Sequence, residues 1–430
     1  MKELTLRAAL VGLLLAVVMG AANVYLGLKA GMTVSASIPA AVMAMLILRG
    51  VFRGGTILEA NQVQTAASAG ESLAAGIIFT MPALLLIGAW EEFDLLLTTL
   101  IAFTGGLLGV LFMIPMRRVF VVNPNSELKF PEGLACASVL KAGDSRGSEA
   151  AGVVLGAVIG GVFKALVSFF GVMKGILEQA LQGLGDRIFY FGGDISPALL
   201  AVGFIVRLNV ALLIFIGGSL AWVIGIPLLG AQLSADPLES AWALWSTQIR
   251  YAGVGAMVVG GVASIVKVRF GLVQAVREIS RLRTGTRDTG DSAVTDRDIS
   301  SKSILVLSAM TVLLIGVVYY LLTGNALISV ATTGIMIVMA FFFTAVASYI
   351  VGLVGNSNSP VSGMTITAVL FTGGLLLLFG FSGMEGMVAT LGVAAIVCCA
   401  ACTSGDVCND LKTGALVGAS PFRQQIMQIL

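Results

Sequence analysis

The chain has 430 residues, 57% of them apolar and only 11% charged, with a net charge of +2 and no histidine. Its mean hydropathy is +1.00. Soluble domains carry about 25% charged residues, so this composition excludes a water-soluble enzyme, and no basic patch interleaved with aromatics supports a nucleic-acid partner.

The reading is an all-α, polytopic membrane protein of about twelve spans, each near the roughly 20 apolar residues that cross a bilayer. The first apolar stretch, Ala8 to Leu26, follows Lys2 and Arg7 as a signal peptide would. No clear small-residue cleavage site precedes a soluble domain and many apolar stretches follow, so it is read as a retained helix. The spans are predicted near residues 5–26, 33–49, 66–89, 95–116, 150–172, 195–206, 208–229, 249–266, 304–322, 327–348, 364–381 and 385–403. Cytoplasmic loops are enriched in Lys and Arg. Lys2 and Arg7 therefore place the N-terminus in the cytoplasm, Arg49 and Arg53 fall inside, and Glu91, Glu92 and Asp94 fall outside. Arg117, Arg118, Lys129, Lys141 and Arg146 return inside.

Further along, Gly152, Gly156 and Gly160 form a four-residue glycine series suited to helix packing. The stretch Asp194 to Gly218, taken as one helix, would put the basic loop Lys267 to Ser303 outside. A break at Arg207-Leu208-Asn209 restores the rule. Thr284 to Thr295 in that loop reads as a flexible linker. The chain thus divides into an N-terminal transmembrane half (1–266), a cytoplasmic linker loop (267–303) and a C-terminal half (304–430).

Two apolar regions are interrupted by similar polar knots: GLKAGMTVSASIPAAV from Gly27 to Val42 and VGLVGNSNSPVSGMTI from Val351 to Ile366. Freed backbone groups in hydrocarbon cost several kcal/mol each unless they face protein or a wet cavity. Paired broken segments therefore point to a transport site between internal repeats, and the predicted topology sets the two knots on opposite sides, as inverted repeats require. Glu71 precedes Pro82 by the same spacing as Asp410 precedes Pro421. The predicted helix count places both of these at the inner side, which does not fit inversion: either one span is re-entrant or this second match is chance.

Glu71, within Asn61 to Pro82, is the leading proton-coupling candidate, because an ionisable residue in a span is functional by default and there is no histidine to relay a proton. Asp410 is the second candidate. The bland alternative for Glu71 is a carboxylate favoured by the dipole of a first helical turn. Lys29, Lys141 and Arg207 are candidate anchors for a substrate carboxylate, against the alternative that long basic side chains snorkel to headgroups. Ser35, Ser37, Asn356, Ser357, Asn358 and Ser359 supply donors and acceptors for substrate. The run before Pro360 makes a natural helix start, able to meet an anion or simply to be capped.

Among five cysteines, Cys399 and Cys402 have CxxC spacing and are expected to share a helix face. Packing is the simpler reading and a redox or metal-relay role the alternative. No GxxxxGK[ST], HExxH or GxSxG occurs, so the chain offers no phosphate-binding loop, zincin site or serine elbow. No enzyme activity, cofactor or resident metal is expected.

Six stretches in order resemble the oligopeptide transporter family: Gly27 to Val42, Asn61 to Pro82, NPNSELKFPEGLACASVLKAG (Asn123 to Gly143), DISPALLAVGFIVRLNVALL, the second knot, and SGDVCNDLKTGALVGASPFRQQI near the C-terminus. The short loops look like those of prokaryotic members. The resemblance implies a polytopic secondary transporter of the cytoplasmic membrane, in a family whose members import small peptides or metal chelates coupled to protons. It does not fix the substrate, and proton-coupled import of small peptides, with the proton gradient as energy source, is the leading reading. It carries over Lys29, Ser35, Ser37, Glu71, Pro131, Glu132, Lys141, Asn356, Ser357, Asn358, Ser359 and Asp410 as motif positions. Family members continue past the SPFRQQI motif, so a C-terminal half lacking its last helices is expected. Metal-chelate uptake, as in the yellow stripe-like branch, is the runner-up. A passive channel and a membrane redox protein using Cys399 and Cys402 are readings of other classes. The partners expected are a peptide or metal chelate, the lipid bilayer and a second copy in a homodimer.

Overall fold

A computed structural model describes residues 3–30, 33, 35–122, 128–144, 155, 158–160, 162–163, 165–167, 176–183, 187–195, 208–230, 236–256, 259–260, 263, 297–359 and 361–430. It divides into two units, Met1–Ala150 with Gly261–Leu430, and Ala151–Gly260. Among the described residues, eight helices are long and apolar enough to cross a membrane, so the chain is an integral, predominantly helical membrane protein.

In the first unit α1 spans Leu6–Ala30 and α2 spans Ser37–Leu46, continued by a wider turn over Ile47–Val51. α3 is Ile57–Ile78, α4 Met81–Leu86, α5 Leu95–Arg117 and α6 Pro131–Asp144. The second unit contains a hairpin of β1 (Ile176–Gln182) and β2 (Ile188–Asp194), paired antiparallel from Ile176 opposite Asp194 to Gln182 opposite Ile188. It also holds α7 (Leu208–Ser219), whose helical course continues to Leu229, and α8 (Pro237–Leu244). Tyr190 on β2 packs against Trp222, and Trp222 stacks on Trp245. The first unit then resumes with α9 (Ser301–Thr323), α10 (Ala326–Val354), α11 (Val361–Leu378), α12 (Gly383–Val417) and α13 (Pro421–Ile429).

Local sequence sets these boundaries. Thr56 accepts from the Glu59 amide while the Glu59 side chain accepts from the Thr56 amide, a reciprocal cap that starts α3. Asn325 caps α10 through two amides. Gly355, at φ +89°, lets the chain turn out of α10 where a side chain would be strained.

α12 is the hub. Its apolar window is 89% buried, against 22% for α1. Small residues let neighbours close on it. A methyl on Gly76 of α3 would lie 2.7 Å from the Cys399 Cα, and one on Gly105 of α5 would lie 2.6 Å from the Cys399 Cβ. Cys399 is thus a packing residue between two glycines. Cys402, three residues on, packs with Ala75 of α3 and with Cys398.

Helix directions follow from which residues meet. Gly12 abuts Ala66, Gly70 abuts Ala16 and Gly27 abuts Ile78, so α1 and α3 are parallel. Ile328 clusters with Ala389, and the Ser404 hydroxyl reaches the Thr344 carbonyl, so α10 and α12 are parallel. Ser72 meets Thr403, Ser68 meets Asp406 and Gln64 meets Asp410, so α3 and α12 are antiparallel. Two triplets, α1–α2–α3 and α10–α11–α12, therefore run in opposite directions, each with a chain break before its middle helix, the arrangement of inverted repeats.

Several predicted boundaries are corrected. The span at 33–49 is the short helix Ser37–Val51, about 22 Å long at 1.5 Å per residue, less than the roughly 30 Å hydrocarbon core. The span at 66–89 begins at Ile57, which places Asn61, Gln62 and Gln64 inside a helix. The span at 385–403 runs on to Val417, so the Asp406–Asp410 region is buried helix and not loop. The residues from Pro131, read as part of a cytoplasmic loop, form α6, with Cys136 and Leu140 fully buried. Glu71 and Asp410 lie within antiparallel helices, on either side of the level where Ser68 meets Asp406, so their matching distance to Pro82 and Pro421 agrees with inversion. Gly152 and Gly156, most of the 195–206 span with its break at Arg207, Pro360 and the 267–296 part of the linker lie outside the described residues.

Candidate functional site

Both chain breaks open onto one cavity of about 110 Å³ in the first unit, lined by Thr33 and Ser35 from the first break and Asn356, Ser357 and Ser359 from the second. Glu71 and Ser72 of α3, Ser362 of α11, and Cys402 and Asp406 of α12 add to its polar wall. Among the described residues, no lysine or arginine lines it.

The carboxylates organise the breaks. Glu71 accepts from the Asn23 side chain of α1 and from the Ala36 amide at 3.2 Å, so it caps the start of α2. Glu132 of α6 accepts from the Ser357 amide at 2.9 Å and so caps the second break. Each break is thus held by an acid from another helix, which satisfies N–H groups that the bilayer could not. Asp406 lies between them. It accepts from the Ser35 hydroxyl at 3.4 Å and from the Ser68 hydroxyl at 3.5 Å, and the Asn356 side chain also hydrogen-bonds to it. Asp410, one turn further along α12, accepts from Ser37 at 3.4 Å and from Gln64. Ser37 in turn hydrogen-bonds Ser68 at 3.0 Å.

Glu71, Asp406 and Asp410 are 3%, 1% and 0% exposed, and all these partners are neutral. The ion pairs recorded among the described residues lie elsewhere, as Arg7–Glu59, Arg117–Asp298, Arg118–Asp298 and Arg423–Glu3. A buried carboxylate with only neutral donors is costly in its charged form. Such a group serves a cation, a proton or the ammonium of a ligand better than it serves an anion.

The structure brings together Ser35, Ser37, Glu71, Asp410, Asn356, Ser357 and Ser359. It does not bring Lys29 or Lys141 to the cavity; both are exposed, in the last turns of α1 and α6. Arg207 and the Asn358 side chain lie outside the described residues. At the run before Pro360, expected to meet an anion or simply to be capped, the Ser357 amide is met by Glu132. Asp406 is the residue that the sequence reading passed over. Its signal was the four-residue spacing to Asp410, which sets both acids on one helix face. Asn23, Ser68 and Ser72, in apolar or small-residue runs, carried no comparable signal.

A polytopic helical bundle with a polar cavity between two broken, oppositely directed segments is the build of a membrane transport protein. The chain matches the model of the OPT oligopeptide transporter protein family over residues 3–430, and it belongs to that family, whose members are transporters and not enzymes. It is 34% identical over 429 residues to the "Putative oligopeptide transporter" of Haemophilus influenzae, covering 94% of this chain and 67% of that protein. More distant are a "Probable metal-nicotianamine transporter" of Oryza sativa subsp. japonica, 24% identical over all of this chain and 69% of the relative, and a "Metal-nicotianamine transporter" of Arabidopsis thaliana, 23% identical over 75% of this chain and 50% of the relative. No solved structure matches the chain.

Proposed function

We propose that the protein is a proton-coupled importer of small oligopeptides that works by alternating access of its two inverted triplets. The observation that carries this reading is Asp406, hydrogen-bonded at once to Ser35 of one break and Asn356 of the other, with Glu71 on the same cavity wall. Asp406 receives the α-ammonium of the peptide, and the hydroxyls and amides of the breaks receive its backbone. Glu71 carries the coupling proton. When protonated it gives up one acceptor position, so the hold on Asn23 and on the start of α2 loosens and the first break is free to move. The Lys and Arg distribution orients the N-terminus to the cytoplasm of a prokaryotic cell.

The experiment is uptake of a labelled pool of tri- to pentapeptides by proteoliposomes, with and without an inward proton gradient. Accumulation only with the gradient is expected. Equal uptake in both conditions, stopping at equilibration, would overturn coupling and favour a channel. A second reading, import of metal chelates, is supported by the names of the plant relatives. In that case a metal–nicotianamine complex accumulates and the peptides neither accumulate nor compete.

A further inference from the structure

The polar wall does not end at Asp410. α3 carries Asn61, Gln64, Thr65, Ser68, Glu71 and Ser72, a stripe at three- and four-residue spacing that keeps one helix face polar for about 15 Å beyond Glu71 toward the N-terminus of α3. α13 closes over this stripe. The Gln424 amide donates to the Thr65 hydroxyl at 3.1 Å and to the Asp410 carbonyl at 2.9 Å. Asn61, Gln64 and Gln424 are fully buried and Gln428 nearly so. Nevertheless both side-chain polar atoms of Asn61 and of Gln428, the Oε1 atoms of Gln64 and Gln424, and the Oδ2 of Asp410 have no hydrogen-bond partner among the described residues. Buried polar groups are ordinarily satisfied, by protein or by ordered water.

The kind of group that would satisfy them is decided by the mixture. A cation would satisfy the oxygens and repel the Asn61 and Gln428 N–H donors. An anion would do the reverse at Asp410. Water both donates and accepts, and typically makes about three hydrogen bonds to such groups. Glu59, on the opposite face of α3 toward α1, is fully buried and bonded by Arg7 and Thr5, with the Arg7 side chain 34% exposed. Glu3 and Arg423 pair at 3.1 Å, joining the residues before α1 to α13.

We propose that α3 and α13 enclose a chain of ordered water that carries protons between the Glu71–Asp406–Asp410 group and the face of the protein bearing the N-terminus of α1. The acids facing this chain are Glu71, Asp406 and Asp410, with Glu132 bonded to Asn409 beside them at 3.5 Å. The charged groups nearest its outer end are Glu3 and Arg423, with Arg7 and Glu59 on the opposite face of α3. The amides hold the water in line, and protons pass along its hydrogen bonds to Asp410. From there they reach Glu71 through Ser37, Ser68 and Asp406. This rests on the proton-coupled reading above and adds its route.

Two measurements test it. The first uses liposomes holding a pH-sensitive dye and the full chain, and compares proton entry driven by the tri- to pentapeptide pool with peptide exchange at equal pH on both sides. In Gln64→Leu and Asn61→Leu, proton entry is expected to slow roughly tenfold or more, the equivalent of one lost polar partner, with exchange held within about twofold. Thr372→Val, a buried hydroxyl on α11 away from the stripe, should change neither. Unchanged proton entry in both leucine variants, or an equal fall in exchange, overturns the route. Wild-type exchange without proton entry instead overturns the coupled reading on which the route rests. The second measurement needs no substrate. Asn61→Cys should react with a small aqueous methanethiosulfonate reagent above the background of the five buried native cysteines, and no added reaction means that the stripe is dry and the proposal is wrong.

Discussion

Asp406 is the residue whose chemistry is sharpest. Its carboxylate is fully enclosed, touches one residue from each chain break and has neutral partners. If it holds the α-ammonium of a peptide, Asp406→Asn removes a charge-assisted bond of about 1.5–3 kcal/mol. The half-saturating peptide concentration should then rise by roughly ten- to a hundredfold. Peptides with an acetylated amino terminus should be poor substrates for the wild type and lose little more in the variant. A variant that weakens both kinds of peptide equally would assign Asp406 to structure. This residue was readable in principle, since two acids four apart on an apolar helix are unusual. The run SGDVCNDLKTG, however, reads as a loop when polarity is scored one residue at a time. In the fold that polarity is supplied with partners from α2, α3 and the second break, so the helix continues through it.

At the scale of elements, close approach matters more than hydrophobicity. α3 and α12 touch where Gly76 faces Cys399, and a single added methyl would meet backbone and sulfur together. Gly76→Ala should therefore destabilise by about 1–3 kcal/mol, seen as a lower thermal midpoint in detergent, and an unchanged midpoint would mean that the helices stand further apart. Thr56→Ala removes half of the reciprocal cap at the start of α3 and should cost about 1 kcal/mol by the same measurement. The chain breaks were legible because glycine, serine, asparagine and proline interrupt long apolar runs. The brevity of α2, the inward path of α6 and the length of α12 were not. Each depends on partners from distant sequence, such as the Cys136 thiol against the Ser37 carbonyl or the Gln424 amide against Asp410. The β1–β2 hairpin was likewise unread, lying between predicted spans.

For the whole molecule, the opposed directions of the two triplets suit the proposed alternating access, in which one break would yield to one side of the membrane while the other stays closed. The matched spacings Glu71 to Pro82 and Asp410 to Pro421 carried this relation in the sequence, although span boundaries drawn from hydropathy left Asp410 outside its helix. If the breaks must separate during each cycle, cross-linking Ser35→Cys to Asn356→Cys across Asp406 should stop peptide exchange, and reduction or cleavage of the linker should restore it. Exchange that continues through the cross-link would rule out relative motion of the breaks as the transport step.

The most direct test of the account is Glu71→Gln in proteoliposomes, read as gradient-driven accumulation of labelled peptide beside peptide exchange at equal pH. The amide keeps one oxygen acceptor for the Ala36 and Asn23 donors, as protonated Glu71 does, but cannot take up and release the coupling proton. The account predicts that accumulation collapses to the equilibration level while exchange persists. Accumulation that keeps its full dependence on the proton gradient in this variant would contradict it.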